Sequence, residues 1–412
     1  MKAPTPDLAD PDTFVNGPPH AFFAQLRRDE PIWWHDRAGA PGFWVVTRYD
    51  DVAEVLAQPS TFVNRHGVTI EPSEPAGLPI GEEERGQGAL SYTDPPFHRP
   101  VRRVLAPHFT PAQMRRLEAL VRAHAERLVG SFAAAGGGDF VTDVARPYPM
   151  RVLAAVLGLT AEADAALVRF VEQSPGTAPA ERAAITATFV GAANELAAQR
   201  RADPGDDLIS AMVREDDETN VLAAERFGGI LVQLALAGQE TTRAASAQGL
   251  RIILEEPRVR EALLDDRALV AGAVEEVLRY RSPVHYTRRT VPLEGGDGPA
   301  VIVGRELERG AIVYLSLASA NRDETVFVDG DRFDPARRAD RPHLGLGLGM
   351  HHCLGASLAR LELSVLFETV LDLMPRAVLA GAPVSARSAL FDALATLPVH
   401  AGASPNETMS SA

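Results

Sequence analysis

The stretch HLGLGLGMHHCLGASLARLE, residues 343–362, contains the only cysteine of the 412-residue chain, Cys353. Several glycines precede this cysteine, Gly355 follows it, and apolar residues at helical spacing then predict a helix over residues 354–373. A thiolate at the start of this helix would receive backbone N–H groups, which favour its charged form. The glycines let the backbone approach a flat cofactor closely. The pattern therefore favours Cys353 as the axial thiolate ligand of a flat metal cofactor.

Two other interpretations of this cysteine are open. A lone cysteine is often a small buried hydrophobic residue with no role in chemistry. A zinc site could use His351, His352 and Cys353, but adjacent side chains point in different directions, and no second Cys/His cluster occurs at zinc-finger spacing. The surrounding glycines favour the axial ligand over both alternatives.

The composition predicts a globular protein, because 46% of the residues are apolar and 23% are charged. A net charge of −14 disfavours binding to nucleic acid, since phosphates would be repelled over most of the surface. A single cysteine forms no internal disulfide, and the first residues lack the pattern of a secretory signal. No apolar run reaches the length of a membrane span. We therefore expect a cytoplasmic protein without membrane association.

Most of the middle of the chain has the apolar spacing of helices, and short β-type runs occur before and after it. Helices are predicted from Tyr49 or Asp50, over residues 100–132 with breaks near Pro107 and Pro111, over residues 223–256, and over residues 354–373. A hairpin is predicted over residues 31–47, a loop over residues 65–93, and further β-type runs over residues 287–317. No repeat or linker divides the chain. We predict one mainly α domain with small β-sheets over residues 1–412, with flexible tails at about 1–18 and 402–412.

The helix predicted over residues 223–256 is the longest, and it ends at Pro257, which cannot continue a helix interior. Its centre is apolar, so the helix is expected to be buried. The polar residues in its stretch LALAGQETTRAA therefore need an explanation. A threonine within a helix can bond the carbonyl four residues back and bend the helix, which opens a local groove.

Taken together, these segments resemble the cytochrome P450 superfamily of haem-thiolate monooxygenases. The family pattern for the cysteine loop is aromatic-x-x-Gly-x-x-x-Cys-x-Gly, and Gly349, Cys353 and Gly355 match it. Leu346 stands where phenylalanine is usual. This departure changes the packing around the sulfur and leaves the ligand in place.

The resemblance implies the cytochrome P450 fold, with haem b between the long central helix and the cysteine-loop helix and with Cys353 as the iron ligand. It also assigns roles to residues in three other segments. Glu276 and Arg279 of AVEEVLRYRSP, with Arg332 of DRFDPAR, would form a fold-supporting network. The partners of the haem propionates would be His98 and Arg102 of DPPFHRPVRR, Arg289 of HYTRRTV, and His351.

The stretch AGQETT is similar to the oxygen-binding part of the family's central helix. By this resemblance Ala237 lies beside the haem, Thr241 hydrogen-bonds dioxygen or its water, and Glu240 relays protons from solvent. The substrate pocket would include Ala237, Val284, His285 and Phe391, and residues 65–91 would form part of its lid. These positions are mostly small or apolar, which suits a hydrophobic small molecule.

The function implied is a monooxygenase that uses O2 to oxidise, by default to hydroxylate, a terpenoid, a steroid, a fatty chain, or a polyketide or peptide natural product. Electrons would come from NAD(P)H through a separate ferredoxin and reductase, and Arg102, Arg103 and Arg360 would form part of a docking face. We expect a monomer. The alternatives are a non-catalytic haem-thiolate sensor of a gas or redox state and a helical binding protein without cofactor. Glu240 and Thr241 disfavour the sensor, because a sensor needs no proton relay.

Overall fold

The structure is a computed structural model that describes residues 5–70, 89–173, 178–214, 224–296 and 298–402. Helices dominate the described residues. In chain order they are α1 (His20–Asp29), α2 (Tyr49–Leu56), α3 (His98–Leu105), α4 (Pro111–Ala134), α5 (Pro147–Leu157), α6 (Ala161–Gln173), α7 (Pro179–Ala202), α8 (Leu208–Arg214), α9 (Ala224–Glu255), α10 (Pro257–Asp265), α11 (Leu269–Tyr280), α12 (Leu317–Ala320) and α13 (Ala356–Leu373). The prediction of a mainly α fold with small sheets is confirmed.

Prolines set several of the helix boundaries where the sequence predicts them. The predicted helix over residues 100–132 is divided into α3, a 3-10 turn at Ala106–Phe109, and α4. Thr110 caps α4 by accepting a hydrogen bond from the N–H of Gln113. The central helix α9 ends at Glu255, and Pro257 occupies the first turn of α10, where its missing N–H is not needed.

Short strands form small sheets around the helices. In chain order they are β1 (Ile32–His35), β2 (Phe43–Val46), β3 (Gly137–Asp139), β4 (Tyr286–Thr290), β5 (Ala300–Ile302), β6 (Arg305–Leu307), β7 (Ile312–Ser316), β8 (Val378–Leu379), β9 (Val384–Ser385), β10 (Leu394–Thr396) and β11 (Pro398–His400). The largest sheet has the order β1-β2-β7-β4, in which β1 and β2 form the predicted hairpin and β2 runs parallel to β7. The other sheets are β10-β9, β3-β11-β8 and β5-β6.

The helices α9 and α13 pack closely near their C-terminal halves. A Cβ atom on Gly249 of α9 would lie 2.3 Å from the ring of Phe367 of α13, so glycine is required for this approach. Both helices also contribute to the largest apolar cluster, together with α4 and α5. The site described below lies nearer to the start of α13. None of the described helices combines the length and the apolar character needed to cross a membrane.

The N-terminal segment differs from the flexible tail that we predicted for residues 1–18. Leu8 and Phe14 are buried within an apolar cluster, and residues Pro11–Phe14 form a 3-10 turn. The carboxylate of Asp7 lies 2.9 Å from the ring of His35. The tail prediction is wrong for residues 5–18, because two apolar side chains in a proline-rich stretch suffice to anchor it. The predicted tail over residues 403–412 lies outside the described residues.

Candidate functional site

Two adjoining cavities lie between α9 and the loop that leads into α13. Their volumes are about 240 Å³ and about 270 Å³. The residues that line both of them are Ser91, Ala237, Thr241, Thr242, His351, Cys353 and Ala359. The structure therefore brings the predicted cysteine ligand and the predicted oxygen-binding threonine to the walls of one internal space.

The cysteine loop is held by close backbone contacts that only glycine allows. The N–H of Cys353 donates to the carbonyl of Leu346 at 2.8 Å. A Cβ on Gly345 would lie 2.3 Å from the carbonyl oxygen of Leu278, and Gly349 has a positive φ of 70°. The loop is thus pressed against α11, and the half-buried Cys353 faces the cavities.

The electrostatics of Cys353 differ from the expectation for a helix start. Burial raises the pKa of the Cys353 thiol above its ordinary value, while the N–H of Gly355 and the charges of Arg102 and Arg360 act in the opposite direction. The expected N–H group is therefore present, but burial raises the pKa of the thiol by more than this group lowers it. A thiolate at this position needs further positive charge, which a ligated metal ion would supply.

Four basic side chains predicted to bind haem propionates surround the same space. His98, Arg102 and His351 line the first cavity, and Arg289 and His351 line the second. The rings of His98 and His351 lie 4.5 Å apart. Burial lowers the pKa of His98 to about 4, and burial with the nearby charge of Arg289 lowers that of His351 to about 3. Both rings are therefore neutral at pH 7 and offer N–H groups rather than charge.

These side chains fit a ligand that carries carboxylates. Both ring nitrogens of His98 and Nε2 of His351 are buried. None of these three atoms has a hydrogen-bond partner among the described residues. Burial lowers the pKa of Arg289 to about 10, which still leaves it charged at neutral pH. Unpartnered N–H groups beside two arginines match the carboxylates of haem.

The two predicted catalytic residues lie on different sides of α9. The hydroxyl of Thr241 lines both cavities and donates to the carbonyl of Ala237 at 2.8 Å, the contact expected of a threonine within a helix. Glu240 is not among the residues that line the cavities, and its carboxylate pairs with Arg243 one turn further on. The structure therefore places the threonine at the cavity and the acid beside it.

Only some of the predicted substrate-pocket residues line the cavities. Ala237 and Val284 line the cavities. His285 does not, because its buried ring stacks on Phe14 at 4.6 Å and its Nδ1 lies 3.1 Å from the carbonyl oxygen of Ala389. The pocket prediction for His285 is wrong, since neighbouring residues of an extended chain point to opposite sides. Phe391 forms a backbone bridge with Val284, but its side chain is not among those lining the two cavities.

The predicted fold-supporting network is present with one residue exchanged. Arg279 makes two hydrogen bonds of 2.7 Å to the carboxylate of Glu276, and both side chains are buried. The third arginine is Arg337, whose Nε donates to Glu276 at 2.9 Å. Arg332 contributes only its backbone carbonyl, while its side chain is exposed. The prediction of Arg332 is wrong, because DRFDPAR contains two arginines and the turn directs the second one inward.

Several cavity residues were not predicted. Gln233 lies four residues before Ala237 and eight before Thr241 on α9, so helical spacing alone could have identified it. Its amide contacts Ser91, whose carbonyl accepts from Asn64 at 2.8 Å. Nothing in the sequence identifies Ser91 and Asn64, because a loop places them. The predicted lid over residues 65–91 lies mostly outside the described residues, which omit 71–88.

Comparisons with known proteins agree with this geometry. The family model described as Cytochrome P450 matches residues 181–373. Linalool 8-monooxygenase of Pseudomonas putida is 32% identical over 405 residues, which cover 96% of this chain and 98% of the relative. Steroid C26-monooxygenase of Rhodococcus jostii is 32% identical over 393 residues, covering 93% and 82% of the two chains. The crystal structure of CYP108D1 from Novosphingobium aromaticivorans has a TM-score of 0.85 at 27% identity and covers 96% of this chain and 97% of that one. The chain therefore belongs to the cytochrome P450 family and is a monooxygenase.

Proposed function

We propose that this chain binds haem b through Cys353 and hydroxylates a hydrophobic small molecule, with electrons from NAD(P)H delivered by a separate ferredoxin and reductase. One observation carries the proposal: Cys353, Thr241 and His351 line one internal space. When bound there, haem with a thiolate ligand supplies the activation of O2 and the oxidation of a C–H bond. Two relatives of this chain are named monooxygenases, and these names favour an enzyme over the sensor alternative.

The roles of the chain's own residues follow from their positions. His98, Arg102, Arg289 and His351 bind the propionates of the haem. Thr241 presents its hydroxyl to the cavity, where it can bond dioxygen or an ordered water. Protons must reach this hydroxyl, because the second oxygen atom leaves as water. Glu240 is the nearest acid in sequence, and it delivers a proton once its carboxylate leaves Arg243.

The lining of the cavities supports an apolar substrate. Apolar side chains from α5, α9 and the loop before α13 form most of the wall, and the described polar exceptions on the side of α9 include Gln233 and Ser91. One relative is named for linalool, a terpenoid, and another for a steroid. We propose a terpenoid or steroid substrate, with one polar group bonded to Gln233 or Ser91.

The proposed docking face for the ferredoxin comprises Arg102, Arg103 and Arg360. The exposed Arg103 follows Arg102 on α3. Arg360 is paired with Glu275, so its charge is partly neutralised. Ferredoxin-dependent turnover should fall as ionic strength rises, because salt screens exposed charges. Turnover that is independent of salt would contradict this docking face.

The first experiment is an absorption spectrum of the reduced protein treated with CO. We expect the red-shifted band of a thiolate-ligated haem, and we expect Cys353→Ser to lack it. A wild-type protein that binds haem without this band would refute the ligand. A panel of a terpene alcohol, a steroid and a fatty acid, followed by spin-state shifts, then tests the substrate class.

The second experiment separates the two neighbouring threonines, which both line the cavities. We expect Thr241→Ala to release more peroxide and to consume more NAD(P)H per product, because the hydroxyl that bonds dioxygen is gone. Thr242→Ala is the matched control, since it removes the same group one position further on. Equal uncoupling in the two variants would contradict the role of Thr241.

A further inference from the structure

One acidic side chain on the cavity wall has no part in the mechanism proposed above. Glu362 of α13 lines the first cavity, and among the described residues that line either cavity it alone has a carboxyl group. The residue is only 3% exposed, and its Oε2 has no hydrogen-bond partner in the described part of the chain. A buried oxygen without a partner costs free energy, so its presence at a cavity wall points to a purpose other than stability.

The surroundings of Glu362 favour the neutral form of its carboxyl group. Burial raises the pKa of Glu362 well above its ordinary value of 4.5, and no described residue offsets this effect. A neutral carboxyl group keeps an O–H bond and can donate it, whereas a carboxylate only accepts. Glu362 therefore offers a proton at the cavity wall.

Glu240, the acid that the proposed mechanism uses, differs from Glu362 in position and in partner. Its carboxylate pairs with Arg243, and it is not among the residues that line the cavities. Glu240 can deliver a proton only after this ion pair opens, whereas Oε2 of Glu362 has no pair to open among the described residues. The reduction of O2 to one product oxygen and one water consumes two protons. The two acids therefore suit two separate deliveries.

Polar side chains of α4 and α5 lie next to Glu362. The buried Tyr148 donates from its hydroxyl to the backbone carbonyl of Glu362 at 3.1 Å. Arg122 acts electrostatically on Tyr148 and pairs with Glu368 at 2.8 Å, where the two side chains are 34% and 33% exposed. These groups lead from Glu362 to solvent, so a proton that Glu362 gives to the cavity can be replaced from the surface.

We propose that Glu362 is a proton donor on the α13 side of the cavity and supplies one of the two protons that the reduction of O2 consumes. The O–H bond of Glu362 breaks, the proton passes to an ordered water beside Thr241, and the carboxylate left behind takes up a proton from solvent. The electrons come from NAD(P)H, and Glu240 supplies the other proton. This inference rests on the proposed function.

The first experiment is an infrared difference spectrum of wild type and Glu362→Gln at pH 7, which needs no turnover. We expect the wild type to show the carbonyl stretch of a protonated carboxyl group, and Glu362→Gln to lack it. The band should move to lower frequency in D2O, because a donor must exchange its proton. Glu368→Gln, which changes a partly exposed acid of the same helix, should keep the band. A missing band, or a band that never shifts in D2O, would overturn the proposal.

The second experiment measures turnover in the same variants. Glu362→Gln replaces a neutral group by a neutral group of the same shape, so a packing role predicts wild-type behaviour. Loss of a general acid slows a step by about 10²–10⁴-fold, and we expect about 10²-fold here because Glu240 remains. Peroxide per NAD(P)H and the solvent isotope effect should both rise. Glu362→Asp keeps the acid and should recover part of the rate. Wild-type coupling and isotope effect in Glu362→Gln would refute the role of Glu362.

The outcomes also separate this inference from the proposed function. A wild-type protein without the red-shifted CO band would remove the proposed ligand and, with it, the step assigned to Glu362. A wild-type protein that has this CO band, with Glu362→Gln fully coupled, would overturn this inference alone. If Glu362→Gln does not retain haem, Glu362→Asp still decides: an infrared band at an unchanged frequency would show that the protonated acid is not Glu362.

Discussion

The buried network contains the side chain of Arg337 where we predicted that of Arg332, and this difference leads to a quantitative prediction. Arg337→Ala removes the 2.9 Å hydrogen bond from its Nε to the buried Glu276. Breaking a buried ion pair costs about 3–5 kcal/mol when the remaining charge has no other partner. Here Arg279 keeps both of its 2.7 Å bonds to Glu276, so the charge stays paired. Arg337→Ala also removes the hydrogen bonds from Arg337 to the carbonyls of Val328, Asp329 and Arg332. The loss is then at least that of one charge-assisted bond, about 1.5–3 kcal/mol.

The matched variant is Arg332→Ala, because its exposed side chain leaves while its backbone carbonyl remains in the network. Its free energy of unfolding should stay within about 0.5 kcal/mol of the wild type. The measurement is urea unfolding of haem-loaded samples, with the midpoint compared at an unchanged m value. The reasoning would be refuted if Arg332→Ala were as destabilised as Arg337→Ala, or if both were neutral.

Two further predictions concern residues that line the cavities. Burial raises the pKa of Glu362 well above its ordinary value of 4.5, so the folded protein keeps it protonated while the unfolded chain ionises. The free energy of unfolding therefore falls by about 1.4 kcal/mol for each pH unit above that ordinary value, until the pH reaches the pKa of Glu362 in the folded protein. The advantage of Glu362→Gln in urea unfolding should therefore increase from pH 5 to pH 7, and a constant difference would contradict the burial. Leu346→Phe should keep the thiolate CO band and make the reduction potential more negative, because a larger ring excludes water beside the sulfur and disfavours the added charge; an unchanged potential would show that the packing there is neutral.

The helical skeleton could be predicted because its signals are local. Pro107 and Pro111 interrupt the predicted helix where α3 gives way to α4, and Pro257 begins the helix that follows α9. The glycines around Cys353 likewise mark a backbone that must pass close to its neighbours, as Gly345 does at Leu278. Such residues act through the conformation of their own backbone, so their effect can be deduced without knowledge of tertiary contacts.

Other features depend on contacts that the sequence does not contain. The N-terminal segment packs because Leu8 and Phe14 meet an apolar cluster built from strands far along the chain. Ser91 reaches the cavities because a loop brings it against Gln233. Asn64 supports the same loop by donating to the carbonyl of Ser91. Neither the composition nor the spacing of residues along the chain indicates these long-range contacts.

The division of roles between adjacent residues has a single geometric origin. Successive residues of a helix point about 100° apart, and successive residues of a strand point to opposite sides. Thr241 therefore faces the cavities while Glu240 is turned to Arg243, and Glu276 enters the buried network while Glu275 reaches the cysteine loop.

Val284 and His285 are separated in the same way, with one side chain on a cavity wall and the other stacked on Phe14. A contiguous motif identifies the residue types that the chemistry needs, but the period of the backbone decides which of them reaches the cofactor. The neighbour that points away is then free for a second task. Glu275 is the clearest case, because its position beside Glu276 is also what lets it reach Arg360.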